Sequence, residues 1–254
     1  KKIKGGLTME VITSLSNKKV KDWCKLKNKK YRDEEGLFLV EGEHLVLEAI
    51  KSNLAVELML EKNTVFPIDI LKCYATKEVL KKISSLDTPP NMIAIVKKKK
   101  EEDYKNKLIL IDSIQDPGNL GTIIRSAVAF NIDTVVLGNN TVDLYNEKVI
   151  RATQGLLFHI NIIKRDLKEF VKELKNDNYQ ILGTKVTHGT LVENISLKNK
   201  YAFIMGNEGN GVDEELLDLC DDYLYIGMND LCESLNVGVA SSIILYELDK
   251  KGNK

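Results

Sequence analysis

The chain has 254 residues, enough for one large domain or two modest ones that each bury a core, and its 37 basic and 37 acidic side chains cancel to a formal charge of zero. Its four cysteines (Cys24, Cys73, Cys220, Cys232) form no CxxC pair, and with His44, His159 and His188 they offer no zinc-ligand spacing, so reduced thiols in a cytoplasm are expected. No apolar run approaches the ~18 residues that span a bilayer, which excludes a membrane-spanning helix.

The opening KKIKGG lacks a signal peptide's apolar core, and Met9 heads a well-patterned segment, so Met9 reads as the start and residues 1–8 as a remnant. Charge is unevenly spread. Through Lys107 there are 23 basic and 16 acidic residues, an excess of seven that the remainder reverses. Such asymmetry suggests a basic module for a polyanion beside a separately functioning domain, although a lysine-rich surface alone accounts for it too.

In chain order, the spacing of apolar residues predicts a helix over Lys18–Asn28, a strand over Leu37–Val40, a helix over Glu43–Ser52 and a strand over Val56–Leu60. Strands Lys72–Ala75 and Met92–Val96 enclose a helix at Lys77–Ser84, completing a small α/β/α sandwich. The charged stretch Lys97–Lys107 marks the boundary, giving domains 9–97 and 108–254 joined by a linker at 98–107.

The buried strand Leu108–Ile111 then ends in the turn residues Asp116, Pro117 and Gly118. A helix over Leu120–Phe130, strand Thr134–Leu137, helix Glu147–Gln154, strand His159–Ile163, helix Leu167–Asn176 and strand Gln180–Thr184 follow. Strand Ala202–Met205, helix Asp213–Leu219, strand Tyr223–Ile226 and a last helix Leu235–Lys250 complete the pattern. Repeated βα units argue for a parallel sheet with helices on both faces.

Three stretches place glycines and polar residues where strands meet loops: NLGTIIRSA (Asn119–Ala127), GNEGNG (Gly206–Gly211) and ESLNVGVA (Glu233–Ala240). Ligands of open α/β folds bind at such strand ends, so the three converge on one site. Each has a plain structural explanation as well. GNEGNG has neither the dinucleotide fingerprint nor a P-loop, and an ordinary strand-to-helix turn explains it equally well, with Gly206, Gly209 and Gly211 permitting close approach or positive φ. Arg125 lies in an otherwise apolar helix, where a buried guanidinium needs a phosphate or carboxylate partner, an internal ion pair included. Capping explains Asn119 and one of Ser234 and Asn236. Gly238, Ala240, Ser241 and Ser242 suit close packing against another chain or within this one.

Read in order, the three stretches resemble the signature motifs of the SpoU-type (TrmH-like) RNA ribose 2′-O-methyltransferases of the SPOUT class. The first is carried by Asn119, Gly121, Arg125, Ser126 and Ala127, the second by Gly206, Glu208 and Gly211, and the third by Ser234, Leu235, Asn236, Val237 and Ala240. The segment Tyr31–Val46 is similar to the L30e-like substrate-binding domain of many members. Asn131 stands where members often have Gly, and Asn tolerates left-handed φ best after Gly.

The resemblance implies an α/β fold: a trefoil-knotted, parallel-sheet catalytic domain preceded by a smaller L30e-like domain. It implies S-adenosylmethionine as methyl donor, held by Gly206, Gly211, Thr184, Ile226, Met228 and Leu235. Arg125, Asn119, Glu208, Ser234 and Asn236 become the catalytic group, with no metal. The implied substrate is structured RNA, ribosomal RNA before transfer RNA, and the implied assembly is a homodimer without membrane attachment. A knotted RNA-binding protein without catalysis remains the rival reading.

Overall fold

A computed structural model describes residues 11–252, so the expected start at Met9 lies outside the described residues. The chain divides into two compact units, Lys1–Lys99 and Lys100–Lys254.

The first unit is built on strands β1 (Val11–Ile12), β2 (Leu37–Glu41), β3 (Ala55–Glu61), β4 (Lys72–Ala75) and β5 (Met92–Lys97), in the order β1-β4-β3-β5-β2. The first three of these neighbours run parallel, and β5 is antiparallel to both β3 and β2. Helices α1 (Lys18–Lys25), α2 (Lys29–Glu35), α3 (Glu43–Lys51) and α4 (Lys77–Ile83) cover it. On one face Val20 and Trp23 of α1 meet Val79, Leu80 and Ile83 of α4 over Met59 and Ile93, while α3 packs against β2, β3 and β5.

The helix predicted over Lys18–Asn28 ends at Lys25, and a second helix, α2, follows at Lys29–Glu35, where none was expected. Leu26 closes α1, and Asn28 adopts an extended conformation and caps α2 by accepting from the Lys30 N–H. Arg32, the one buried residue of α2, holds the joint by donating to the Leu26 and Lys27 carbonyls at 3.0 and 2.7 Å. A short charged helix with no apolar stripe leaves no period to read.

The second unit has seven parallel strands. They are β6 (Lys107–Ile111), β7 (Thr134–Leu137), β8 (Asn161–Lys164), β9 (Gln180–Thr184), β10 (Thr190–Leu191), β11 (Tyr201–Met205) and β12 (Asp222–Tyr225), in the order β10-β12-β9-β11-β6-β7-β8. Helices α5 (Pro117–Ala129), α6 (Glu147–Thr153), α7 (Leu167–Asn176), α8 (Glu214–Leu217) and α9 (Val237–Gly252) flank it. Strand β6, between β11 and β7, feeds both layers because alternate side chains point to opposite faces. Ile109 and Ile111 pack with Leu120, Ile123 and Ile124 of α5 and Ile244, Leu245 and Leu248 of α9. Leu108 and Leu110 pack with Phe170, Val171 and Leu174 of α7 and Leu216 of α8. All four are wholly buried, each contributing roughly 1.5–3 kcal/mol. This is the parallel sheet, helical on both faces, that the repeated βα units predict.

Several predicted ends move. Helix α5 starts at Pro117 instead of Leu120, α9 at Val237 instead of Leu235, and α8 spans Glu214–Leu217 with Asp213 as its cap. The strand expected from His159 begins at Asn161, because Gln154 and Gly155 take left-handed φ and lead into a short 3-10 turn, Leu156–Phe158. Left-handed φ at Asn131 (+58°) agrees with its place in the family pattern. The charged stretch is no free tether on its second side. Tyr104 meets the Phe170 ring edge-on at 5.1 Å and donates to Glu173 at 2.7 Å, and Glu101 pairs with Arg165 at 2.8 Å. No helix among the described residues is long and apolar enough to cross a membrane.

Candidate active site at the strand ends

The site begins where β6 ends. Asp116 caps α5 by accepting from the Asn119 N–H at 2.8 Å, with Pro117 at the first helical position, where its missing donor costs nothing. Asn119 is therefore not the cap. It is the third residue of the helix, and its side chain is free to act across the fold.

Glu208, on the loop after β11, accepts from the N–H groups of Gln115 (3.2 Å) and Asp116 (3.0 Å) and from Asn119 Nδ2 (3.1 Å). Asn119 Oδ1 in turn accepts from Asn236 Nδ2 at 2.9 Å. Asn236 Oδ1 accepts from the N–H groups of Gly238 and Val239 at 3.0 and 3.2 Å, so Asn236, and not Ser234, caps α9. Both amide orientations are fixed by these partners. One directed series of hydrogen bonds runs from Asn236 through Asn119 to Glu208 and joins all three motifs.

Partial burial works against ionisation of Glu208, but the donors from Asn119, Asp116 and Gln115 outweigh it and hold the carboxyl below its ordinary range. Its negative charge beside the first turn of α5 also suits the helix dipole.

The GNEGNG loop is a closed turn. Asn207 and Gly211 exchange backbone hydrogen bonds of 2.8 and 3.0 Å. Gly211 has φ +71°, while a Cβ on Gly206 would stand 2.1 Å from Gly211 C and Val212 N. Of the three glycines expected to serve positive φ or ligand approach, Gly211 supplies the φ and Gly206 serves the loop's own closure; Gly209 does neither by this geometry. Asn207, absent from the expected set, organises the turn. Its Oδ1 accepts from Gly209 N–H at 2.9 Å and its Nδ2 donates to the Ser113 carbonyl at 2.8 Å. Asp112, Ser113 and Gln115 are absent from the expected set and Asp116 is expected there only as a turn residue, although their place between a buried strand and a proline is the available signal.

Arg125 departs from expectation. It is exposed and makes no hydrogen bond or ion pair among the described residues, so no internal carboxylate explains it. It lies six residues, or ~9 Å along the helix, beyond Asn119. It shares the side of Thr122, which contacts α9: a Cβ on Gly238 would be 3.1 Å from Thr122 Cγ2. Ser126 and Ser242 hydroxyls meet at 2.7 Å along the same seam. The small residues of α9 thus serve an intrachain contact. Ser234 is exposed, and its hydroxyl takes no part in the bonded series.

The residues expected to hold a cofactor follow neighbouring strands. Thr184 ends β9, Gly206 follows β11, and Ile226 and Met228 follow β12, whose continuation reaches Leu235 beside Asn236. Thr184 Oγ1 is committed to the Ile204 carbonyl at 2.7 Å. Ile226, Met228 and Leu235 are half-buried. Among the described residues, the backbone N–H groups of Met228 and Leu235 have no acceptor. Half-covered apolar side chains with free backbone donors fit a nucleoside, whose base needs flat apolar contact and a few hydrogen bonds.

Residues 106–246 match the SpoU rRNA methylase family and residues 17–94 the MRM3-like substrate-binding domain. The chain belongs to the SpoU rRNA methylase family. It is 42% identical to the 23S rRNA (guanosine(2553)-2′-O)-methyltransferase of Bacillus subtilis, over 94% of this chain and 99% of that protein. The structure resembles an AdoMet-bound rRNA methyltransferase from Sinorhizobium meliloti (TM-score 0.83, 26% identity, 95% and 97% of the two chains). It also resembles a TrmH-family RNA methyltransferase from Porphyromonas gingivalis described as putative (TM-score 0.82, 28% identity, 92% and 98%).

Proposed function

We propose that this chain methylates the ribose 2′-hydroxyl of a guanosine in 23S rRNA, at the position corresponding to that of the Bacillus relative, with S-adenosylmethionine as donor. The observation that carries the reading is the hydrogen-bonded series from Asn236 through Asn119 to Glu208, which ties the three family motifs together at the strand ends. Gly206, Gly211, Thr184, Ile226, Met228 and Leu235 line the cofactor site, which lies in a knot formed by the C-terminal strands. Bound S-adenosylmethionine supplies a methyl group already activated on a sulfonium.

The chain's own task is therefore to align the ribose and stabilise charge as its hydroxyl proton leaves. Arg125 serves as a donor to the target phosphate or the developing alkoxide, because a guanidinium stays protonated and makes a poor base. Asn119, Glu208 and Asn236 hold the loops around it, and Ser234 contacts the ribose.

Residues 9–97 form the RNA-binding domain, 98–107 the connection and 108–254 the catalytic domain of a cytoplasmic homodimer. Val239 and Tyr246, 48% and 49% exposed on α9 beside the α5 seam, support a second copy there; a monomer by light scattering overturns that part. The activity is tested with a 23S rRNA transcript and methyl-labelled S-adenosylmethionine. Label in one alkali-resistant 2′-O-methylated dinucleotide is expected. Label on a base, or none, refutes the reading.

A further inference from the structure

In the first unit, a groove of about 680 Å³ opens between α1 and α2 over the sheet, floored by Leu37 and Ile95. Trp23 and Tyr31 also line it, as do Lys18, Glu35 and Glu57. A space of this size holds one nucleotide.

Its charges are arranged in two kinds. Glu57 is nearly buried, with a side chain 12% exposed, and is neutralised by Lys19. An extra residue, Val56, interrupts the pairing of β3 with β5 just before Glu57, a bulge of the kind that re-aims a side chain. Lys18 and Glu35, by contrast, make no hydrogen bond or salt bridge among the described residues, and each meets opposite charge only at longer range, from Asp22 and Lys25 of the same lining. A surface built only for the phosphate backbone would carry cations without acceptors. A cation and a carboxylate whose hydrogen-bonding capacity is unused, lining one groove with an aromatic ring, suit a group that bears an anion, N–H donors and a flat face together.

We propose that this groove takes one unstacked guanosine nucleotide of the substrate RNA, its base stacked on Tyr31, its Watson–Crick N–H donors on Glu35 and its phosphate on Lys18. The inference rests on the RNA-methyltransferase reading above. A carboxylate only accepts, and guanine presents two adjacent donors, N1–H and N2–H, where adenine and cytosine present one amino group and uracil a single imino N–H between two carbonyls. Unpaired bases splayed onto aromatic rings and read on that edge are how proteins recognise single-stranded RNA.

The test uses the full chain and a 23S rRNA fragment that it methylates. Trp23, the one tryptophan in the chain, forms part of the groove wall and is almost wholly buried, so its emission reports a change in the packing of that wall. A saturable change on adding RNA is expected. Tyr31→Ala should lower RNA affinity about tenfold or more, as loss of one stacked base does, with S-adenosylmethionine affinity unchanged, while Tyr31→Phe keeps the ring and the affinity. Replacing unpaired guanosines one at a time by inosine, which lacks the N2 amino group, should reveal one position that weakens binding. That loss should vanish in the exposed-site variant Glu35→Ala, which does not burden folding.

Lys21, on α1 but outside the lining, serves as the charge control. If Tyr31→Ala and Glu35→Ala bind as the unsubstituted chain does, and Lys18→Ala loses no more than Lys21→Ala, the groove is ordinary charged surface and the proposal is overturned. Failure of the broader reading looks different: the unsubstituted chain then transfers no methyl group to RNA at all.

Discussion

Replacing Asn236 by aspartate separates its two jobs. An aspartate caps a helix as well as asparagine does, and its charge suits the N-terminus of α9, so the bonds from Gly238 and Val239 N–H survive. The other oxygen, however, stands where Nδ2 donated to Asn119 Oδ1 at 2.9 Å. Rotating the Asn119 amide does not help, because its oxygen would then face the Glu208 carboxylate at 3.1 Å. One hydrogen bond is lost, ~1 kcal/mol, and an acceptor–acceptor contact of comparable cost replaces it. About 2 kcal/mol against the assembled loops shifts the equilibrium between assembled and open loops roughly thirtyfold. The expected outcome for Asn236→Asp is a fall in kcat/KM of up to that factor with the melting temperature little moved, whereas Asn236→Ala, which loses the cap as well, lowers both. An Asn236→Asp enzyme with unchanged kcat/KM would falsify the claim that this series of bonds maintains the site.

Arg125→Ala should reduce methyl transfer by about 10²–10³-fold, the cost of losing a donor at developing charge, while cofactor affinity and thermal stability stay, since Arg125 is exposed and unpaired among the described residues; turnover at the original rate removes it from the site. Gly206→Ala forces a Cβ to 2.1 Å from backbone atoms that cannot give way. It should cost about 1–3 kcal/mol, read from denaturant unfolding, and an unperturbed midpoint contradicts the loop geometry. Because the Glu208 pKa is lowered by folding, its stabilising contribution is complete above the ordinary glutamate value of 4.5 and disappears as pH falls through the depressed one. The stability gap between the unsubstituted chain and Glu208→Gln should therefore narrow from pH 7 to pH 3, and a constant gap refutes the assignment. Burial pushes the Cys73 thiol up to about 11 and that of Cys220 to about 12, while Cys232 is exposed between Met228 and Leu235. A thiol reagent should modify Cys232 first and more slowly with S-adenosylmethionine present; equal rates with and without it place the cofactor elsewhere.

The sheet was legible because its strands are short apolar runs and its helices are amphipathic: the predicted bounds of Thr134–Leu137, Leu167–Asn176 and Gln180–Thr184 are those observed. Strands β1 and β10, two residues each, are too short to show a period. The Asp-Pro pair signals Asp116 as the cap, but Asn119, three residues on, carries an equally good capping side chain and competes for that role in the sequence. Arg125 looked buried from its apolar neighbours in sequence, yet successive helical residues turn by ~100° and need not share a face. The motifs could be placed at one site from their position at strand ends. How they touch could not, since Asn119 meets residues 89 and 117 positions away, and hydrogen bonds over such separations leave no periodic trace.

That separation of 117 residues also gives the site a birth time. Synthesis proceeds from the N-terminus at about 5–20 residues per second, so Asn119 is made on the order of ten seconds before Asn236. Through that interval α5 already carries its arginine, while the amide that holds Asn119 in register has not been translated. On the proposed assignment of the site, a nascent chain is thus silent towards RNA chemistry until Asn236 has been made. For an enzyme that acts on ribosomal RNA, the proposed site thus stays incomplete while the ribosome translates from Asn119 to Asn236.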